Sequence, residues 1–206
     1  MNDMPTASFT RMDQGTFEDY QLLEERYKVL DQNLADEVLA MLGRLGGDPL
    51  GYKIDRFQHS LQTATRAMRD GADEETVVVA LLHDIGDVLA PQNHSDLAAA
   101  VLQPYISARN HWLVRHHGIF QGYYFFHHVG GDRNAREKYR GHPLYEMTAA
   151  FCENWDQSSF DPEYRSEPLS FFEPYVRRLF ARKPYDPSIM LTGVVKGLPP
   201  AQAAAE

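Results

Sequence analysis

The sequence is short of cysteine, of positive charge and of long apolar runs. Cys152 is the only cysteine among 206 residues, so no disulfide can form within the chain. A chain without disulfides suits a reducing compartment, and we expect a cytoplasmic protein. We see no signal peptide and no apolar run long enough to cross a bilayer, so we expect no membrane partner. The net charge of −9 disfavours nucleic acid as a partner.

Alternating apolar and polar residues, which would indicate strands, are also scarce. Apolar residues instead recur every three or four positions, which predicts an all-α fold. We expect an N-terminal mobile arm over 1–16, a single helical domain over 17–182 and a disordered C-terminal tail over 183–206. The first helix carries no visible chemistry and could be broken near residues 31–33. We give it a packing or oligomer role, and the sequence leaves the oligomeric state open.

Histidine and tyrosine, in contrast, are abundant, with nine and eleven copies. The most informative stretch is the apolar run 77–82, which ends in the adjacent pair His83-Asp84. A buried imidazole or carboxylate is costly unless something satisfies it, and a metal cation bound to both would do so. The alternative is a polar cap at the end of a buried helix.

Other potential metal ligands lie on the helices around this pair. The full candidate set is His59, His83, Asp84, His94, His117 and Asp156. Adjacent residues of a helix point about 100° apart, so Asp84 could bridge two metals while His83 binds one of them. His59 and Asp156 would complete the first site, and His94 and His117 the second. Such nitrogen and oxygen ligands suit iron, manganese or zinc rather than calcium, and the lack of cysteine ligands disfavours a structural zinc.

Two stretches, 55–64 and 81–86, give the chain a family resemblance. With the order of the candidate ligands, they resemble the HD-domain superfamily over roughly residues 52–180. That resemblance implies a helical bundle around one or two metals, and it selects His117 over its neighbour His116 as the ligand. The two additional histidines make the chain similar to the mixed-valent diiron oxygenases of the superfamily. These include myo-inositol oxygenase and enzymes that cleave the carbon–phosphorus bond of 1-hydroxy-2-aminoethylphosphonates.

The resemblance implies two iron ions, as an Fe(II)/Fe(III) pair, with O2 and a small molecule as substrates. The expected substrate is 1-hydroxy-2-(trimethylammonio)ethylphosphonate, which would give phosphate and glycine betaine. No catalytic residue is expected beyond the metal ligands. The candidate substrate-binding residues are Asp87, Tyr52, Asp55, Gln121, Tyr124, Arg133, Lys138, Arg140 and His142.

These candidates have different expected roles. Asp87 replaces a basic residue of the relatives and would attract an ammonium group, or it could be a solvated acid at a helix end. Tyr52 and Asp55 would form a lid, or they could pack on the core and cap a helix. Aromatic residues in 120–126 could contact the ammonium or simply belong to the core. The basic residues of the loop 132–142 would bind an anion, or form a solvated loop.

Two other functions remain open at this stage. The same ligands could activate a water molecule in a metal-dependent phosphohydrolase that acts on a phosphate ester. They could also stabilise a sensing or binding module without catalysis. An EPR signal of a coupled mixed-valent iron pair would favour the oxygenase, and phosphate release from esters without O2 would favour the phosphohydrolase.

Overall fold

The computed structural model describes residues 5–190, and all regular elements among them are helical, which confirms the all-α prediction. The α-helices are α1 Phe17–Gly43, α2 Arg56–Arg69, α3 Glu74–Leu82, α4 His94–Leu102, α5 Ala108–Phe125, α6 Tyr145–Phe151, α7 Leu169–Phe180 and α8 Pro187–Met190. Short 3-10 helices occupy Met12–Gln14, Ile85–Val88, Phe126–His128 and Ala135–Tyr139, and a π-helical turn spans Cys152–Asp156. The predicted arm and tail lie partly outside the described residues, and the limits 17–182 stay a prediction. No helix within residues 5–190 is both long and apolar enough to span a membrane.

The chain divides into two compact units, Met1–Val38 and Leu39–Glu206. In the first, the Asp19 carboxylate accepts hydrogen bonds from the backbone N–H and hydroxyl of Ser8 and from the N–H of Thr16. Helix α1 is continuous through residues 31–33, so the predicted break there is wrong. Aspartate, glutamine and asparagine lower helix stability by less than about 0.7 kcal/mol each, too little to interrupt a long helix.

In the second unit, α3 is the central helix. It is buried from Thr76 to Leu82 and packs against α2, α5 and α7. Its N-terminus is fixed by Asp73, whose side chain accepts a hydrogen bond from the N–H of Thr76 at 2.8 Å. Because residues 77–82 of α3 are apolar and buried, His83 and Asp84 at the C-terminal end of the helix lie in the interior.

Two local features direct the elements that follow α3. At Gly86 a Cβ atom would lie 2.1 Å from the carbonyl oxygen of His94, so only glycine permits the 3-10 helix after α3 to touch the start of α4. Later, α6 continues into the π-helical turn that ends at Asp156. Such turns are rare and often occur at functional sites, because the inserted residue changes the direction in which the following side chain points.

Candidate metal centre

The structure brings the six candidate ligands together around the Asp84 carboxylate. Its Oδ2 atom lies 3.4 Å from His83 Nε2 and 3.5 Å from His59 Nε2. Its Oδ1 atom lies 3.1 Å from His117 Nε2 and 3.5 Å from His94 Nε2. Each oxygen of this one carboxylate therefore faces a different pair of imidazoles.

We call His59, His83 and Asp156 the inner half-site. Asp156 Oδ1 lies 3.3 Å from His59 Nε2 and 3.7 Å from His83 Nε2, and the two Nε2 atoms are 3.2 Å apart. All three residues are buried. The second oxygen of Asp156 is buried without a hydrogen-bond partner, which is costly for a carboxylate unless a cation binds there.

We call His94 and His117 the outer half-site, and Asp84 belongs to both half-sites. The Nε2 atoms of His94 and His117 are 3.2 Å apart. His117 is buried, whereas the His94 side chain is 26% exposed, so this half-site is the one open to solvent.

The spacing of these donor atoms fits a metal ion in each half-site. Two ligands bound about 2.1 Å from one ion are roughly 3.0 Å apart at a right angle and about 3.4 Å apart in a tetrahedron. The ligand atoms of His59, His83 and Asp156 lie within 4.8 Å of one another. Those of Asp84, His94 and His117 lie 3.1–3.5 Å from one another. The six side chains could therefore hold two ions, with Asp84 between them.

Three imidazoles are oriented by backbone carbonyls. The Nδ1 atoms of His59, His83 and His117 lie 2.9, 2.8 and 2.6 Å from the carbonyl oxygens of Ser159, Ala80 and Val114. A carbonyl can only accept, so each Nδ1 carries the proton and each Nε2 keeps its lone pair for a metal. Outer contacts of this kind are typical of histidine ligands.

The electrostatics of the metal-free cluster also indicate a cation site. Burial alone would lower the pKa of His83, but the Asp84 and Asp156 carboxylates outweigh it and raise this pKa to about 9. Burial would raise the pKa of both carboxyl groups, but the neighbouring imidazoles, His83 and His59 among them, hold these pKa values below their usual range. In the metal-free protein, the two carboxylates thus favour a protonated, positively charged His83. A bound metal ion would supply that positive charge instead.

The neighbouring histidine, His116, points away from the cluster. Its ring stacks on Trp112 with a centroid distance of 3.6 Å. Its Nδ1 donates a hydrogen bond to the carbonyl oxygen of Trp112 at 2.8 Å. The structure therefore places His117 rather than His116 among the candidate ligands.

Two candidate substrate residues, Gln121 and Tyr52, are connected to the inner half-site. Gln121 donates a hydrogen bond to Asp156 Oδ1 at 3.0 Å, and Tyr124 follows it on α5. Tyr52 is 58% exposed and stacks on Phe160, which in turn stacks on the ring of His59 with a centroid distance of 4.5 Å.

Asp55 and Asp87 already have partners for their carboxylate oxygens. Asp55 accepts hydrogen bonds from the backbone N–H groups of Gln58 and Gly47, so it caps α2, as the alternative interpretation had it. Asp87 Oδ1 lies 3.2 Å from His94 Nδ1, and its Oδ2 lies 3.1 Å from an Nη atom of Arg56. Asp87 is therefore not a solvated helix-end acid.

The four candidate basic residues of the loop make their contacts elsewhere. Arg133 lies over the Tyr123 ring, Lys138 lies over the Tyr139 ring, Arg140 pairs with Glu137, and His142 stacks on Trp112. Another basic residue of the loop, Arg136, lowers the pKa of the Tyr124 hydroxyl and of the buried Cys152 thiol, although burial raises both pKa values overall.

Arg56 and Phe160 were not singled out from the sequence, and Arg136 was considered there only together with the other basic residues of the loop 132–142. Arg56 precedes His59 by one helical turn, which could have suggested that it lies near the cluster. Nothing in the sequence separates Arg136 from the other basic residues of its loop. Phe160 was hidden because it follows the π-helical turn, where helical spacing no longer tells which side chains point inward.

Comparison with known proteins supports the same grouping of residues. The family model of the HD domain matches residues 56–156. No curated protein sequence matches the chain. The matched stretch begins at α2 and ends at the last residue of the π-helical turn, so it contains all six candidate ligands. HD domains are typically metal-dependent enzymes, and residues 56–156 of this chain match the model of such a domain.

Proposed function

We propose that this HD protein is a diiron oxygenase that cleaves the carbon–phosphorus bond of a small 1-hydroxyphosphonate. The observation that carries the proposal is the position of Asp84, which presents one oxygen to each half-site. Four imidazoles and two carboxylates form a donor set suited to iron. The resemblance to the mixed-valent diiron oxygenases supplies the choice of O2 chemistry.

The inequality of the two half-sites also supports the proposal. The inner half-site offers three buried side chains besides Asp84, whereas the outer one offers two, one of them partly exposed. An ion in the outer half-site keeps more positions for ligands from outside the protein. When bound, the metals would supply O2 activation and hold the substrate oxygens, and the protein supplies position and shelter from water.

The proposed reaction balances without an external reductant. One O2 and one 1-hydroxyphosphonate give one carboxylate and one phosphate, so the hydroxyl-bearing carbon is oxidised while O2 is reduced. The C–P bond breaks, and both oxygen atoms of O2 are accounted for in the two products. With 1-hydroxy-2-(trimethylammonio)ethylphosphonate, the carboxylate is glycine betaine.

For the anionic end of the substrate, we assign Arg136. Its side chain is only 13% exposed, and its Nε atom makes no hydrogen bond and lies 3.9 Å from the Glu137 carboxylate, which also pairs with Arg140. It is held 3.8 Å above the Tyr123 ring and beside Tyr124, one helical turn beyond Gln121. Because Asp87 is paired with His94 and Arg56, aromatic rings are the better contacts for an ammonium group, with Tyr52 and Tyr124 as candidates.

The test is O2-dependent phosphate release by iron-loaded protein. The trimethylated, dimethylated and unmethylated 1-hydroxy-2-aminoethylphosphonates are compared, and we expect one O2 consumed for each phosphate, with the trimethylated compound preferred. Phosphate release from phosphate esters under anaerobic conditions would instead identify a phosphohydrolase. Absence of turnover with all three compounds would refute the phosphonate substrate.

A pair of variants tests the assignment of the anion contact. We expect Arg136→Gln to raise KM by about 10-fold or more, because a charge-assisted hydrogen bond in a buried site is worth roughly 1.5–3 kcal/mol. Arg133→Gln is the matched control, since Arg133 also lies over the Tyr123 ring but in an exposed position. Equal KM values for the two variants would contradict the assignment.

A further inference from the structure

Two charged side chains outside the cluster, Arg56 and Asp87, form a chain of contacts that ends at the candidate ligand His94. An Nη atom of Arg56 lies 3.1 Å from Asp87 Oδ2, and Asp87 Oδ1 lies 3.2 Å from His94 Nδ1. The three side chains are 16–26% exposed. Arg56 begins α2, the helix that carries His59, and His94 begins α4. Asp87 lies in the 3-10 helix between α3 and α4. We call these three residues the outer triad.

His94 differs from the other three candidate histidine ligands in what faces its Nδ1 atom. The others each donate to a backbone carbonyl, whereas the nearest acceptor of His94 is the Asp87 carboxylate. The 3.2 Å contact is not aligned as a hydrogen bond, and His94 Nδ1 is buried without a hydrogen-bond partner.

Arg56 explains why Asp87 is available to His94. The guanidinium binds Asp87 Oδ2, so Oδ1 is left to face the imidazole. A carboxylate held in this way fixes the tautomer of His94, because it accepts only from a protonated Nδ1. The Nε2 lone pair is then free to face His117 and Asp84.

We propose that Asp87 is a positioning residue for the outer metal, acting on His94 Nδ1 while Arg56 holds it in place. This inference goes beyond the proposed function, since it holds for any metal chemistry at the cluster. It also replaces the sequence-based role of Asp87 as a contact for the substrate ammonium. The outer triad controls how tightly the outer half-site retains its ion and leaves the inner half-site unaffected.

The test is zinc titration of metal-free protein against a chromophoric chelator, which needs neither O2 nor substrate. For Asp87→Asn, we expect one of the two ions to bind about 10–100-fold more weakly, the usual cost of losing an outer contact of a histidine ligand. The other ion keeps its affinity. Arg56→Gln shifts the same ion by a smaller factor, and Asp87→Glu restores part of the affinity.

Asp96→Asn is the matched control, because Asp96 is an acid of the first turn of α4 that pairs with Arg115 on the surface. It should bind both ions like the unaltered protein. Unchanged zinc binding by Asp87→Asn would overturn the proposal, and so would equal weakening of both ions. A third contrary outcome is an Asp87→Asn protein with both ions retained and only the KM for the trimethylated hydroxyphosphonate raised, which would return Asp87 to the substrate site. Failure of the oxygenase assay leaves all of these readouts intact, so the two proposals fail separately.

Discussion

The inner and outer half-sites share the Asp84 carboxylate, but the chain holds their imidazoles in different ways. In the inner half-site, backbone carbonyls of Ala80 and Ser159 orient both histidines, and every ligand is buried. In the outer half-site, a backbone carbonyl orients His117, whereas the group nearest to His94 Nδ1 is the Asp87 side chain, and His94 is partly exposed. Backbone groups of packed helices move little, whereas a carboxylate can turn. Of the two ions that we propose, we therefore expect the inner one to be held more rigidly and the outer one to exchange with solvent more readily.

Removing the Asp84 carboxylate should give the largest effect, because Asp84 belongs to both half-sites. Asp84→Asn keeps the size of the side chain but takes the negative charge from both half-sites. We expect metal content to fall from two ions per chain to less than one, and activity to fall by more than the roughly 10–100-fold cost of an outer contact. Metal analysis of the purified protein checks this. Two ions retained in Asp84→Asn would show that the carboxylate does not bridge.

Removing one ligand of the outer half-site should give the next largest effect. We expect His117→Ala to keep one ion and to lose the other, since the inner ligands remain in place. His116→Ala is the matched control, because that imidazole stacks on Trp112 and faces away from Asp84. Metal content and activity measured for both variants separate the neighbours. Loss of metal from His116→Ala but not from His117→Ala would show that His116, and not His117, is the ligand.

The ligands of the inner half-site could be predicted from the sequence, whereas the groups that orient them could not. His59, His83 and Asp156 could be selected from spacing on successive helices and from resemblance, because helical periodicity decides which face a residue occupies. The carbonyls of Ala80 and Ser159 could not be selected in this way, since every residue has a carbonyl. Only the folded backbone shows which carbonyl lies next to each imidazole. The same holds for the π-helical turn before Asp156, which has no spacing of its own in the sequence.

The basic loop was the least predictable part of the site. Arg133, Lys138 and Arg140 are as cationic as Arg136, and all of them fit an anion site by composition. Arg133 and Arg136 share the Tyr123 ring, and Arg136 and Arg140 share Glu137, but the Arg136 side chain is 13% exposed whereas that of Arg140 is 66% exposed. Such competition between nearby partners depends on distances through space, which residue order does not contain.

Gly86 lies where the 3-10 helix after α3 touches the start of α4, so a substitution there should disturb the outer half-site through the backbone. In Gly86→Ala the new methyl group would meet the carbonyl group of His94, which is backbone and cannot swing aside as a long side chain can. We expect a loss of about 1–3 kcal/mol in the free energy of unfolding, the usual cost of overpacking, and weaker binding of the outer ion. Thermal unfolding and zinc titration measure the two effects. Gly43→Ala is the matched control, because a Cβ there meets nothing within 4 Å.

The smallest expected effect concerns the metal-free protein, in which His83 carries a proton in place of a metal. Its pKa is raised from the usual 6.5 to about 9, because Asp84 and Asp156 outweigh the effect of burial. A raised pKa stabilises the fold fully below pH 6.5, and that contribution is lost as the pH rises through 9. The lowered pKa values of the two carboxyl groups act only below their usual range, so they do not affect this window.

We therefore expect the melting temperature of metal-free protein to fall by several degrees between pH 6.5 and 9, since about 1 kcal/mol corresponds to roughly 2–4 °C in a protein of this size. Metal-loaded protein should show a smaller fall, because a bound ion keeps the His83 imidazole neutral across the whole window. Thermal scans of both forms in the same buffers make the comparison. Parallel curves for the two forms would mean that the inner half-site holds no proton that a metal displaces, and the electrostatic argument for a cation there would be lost.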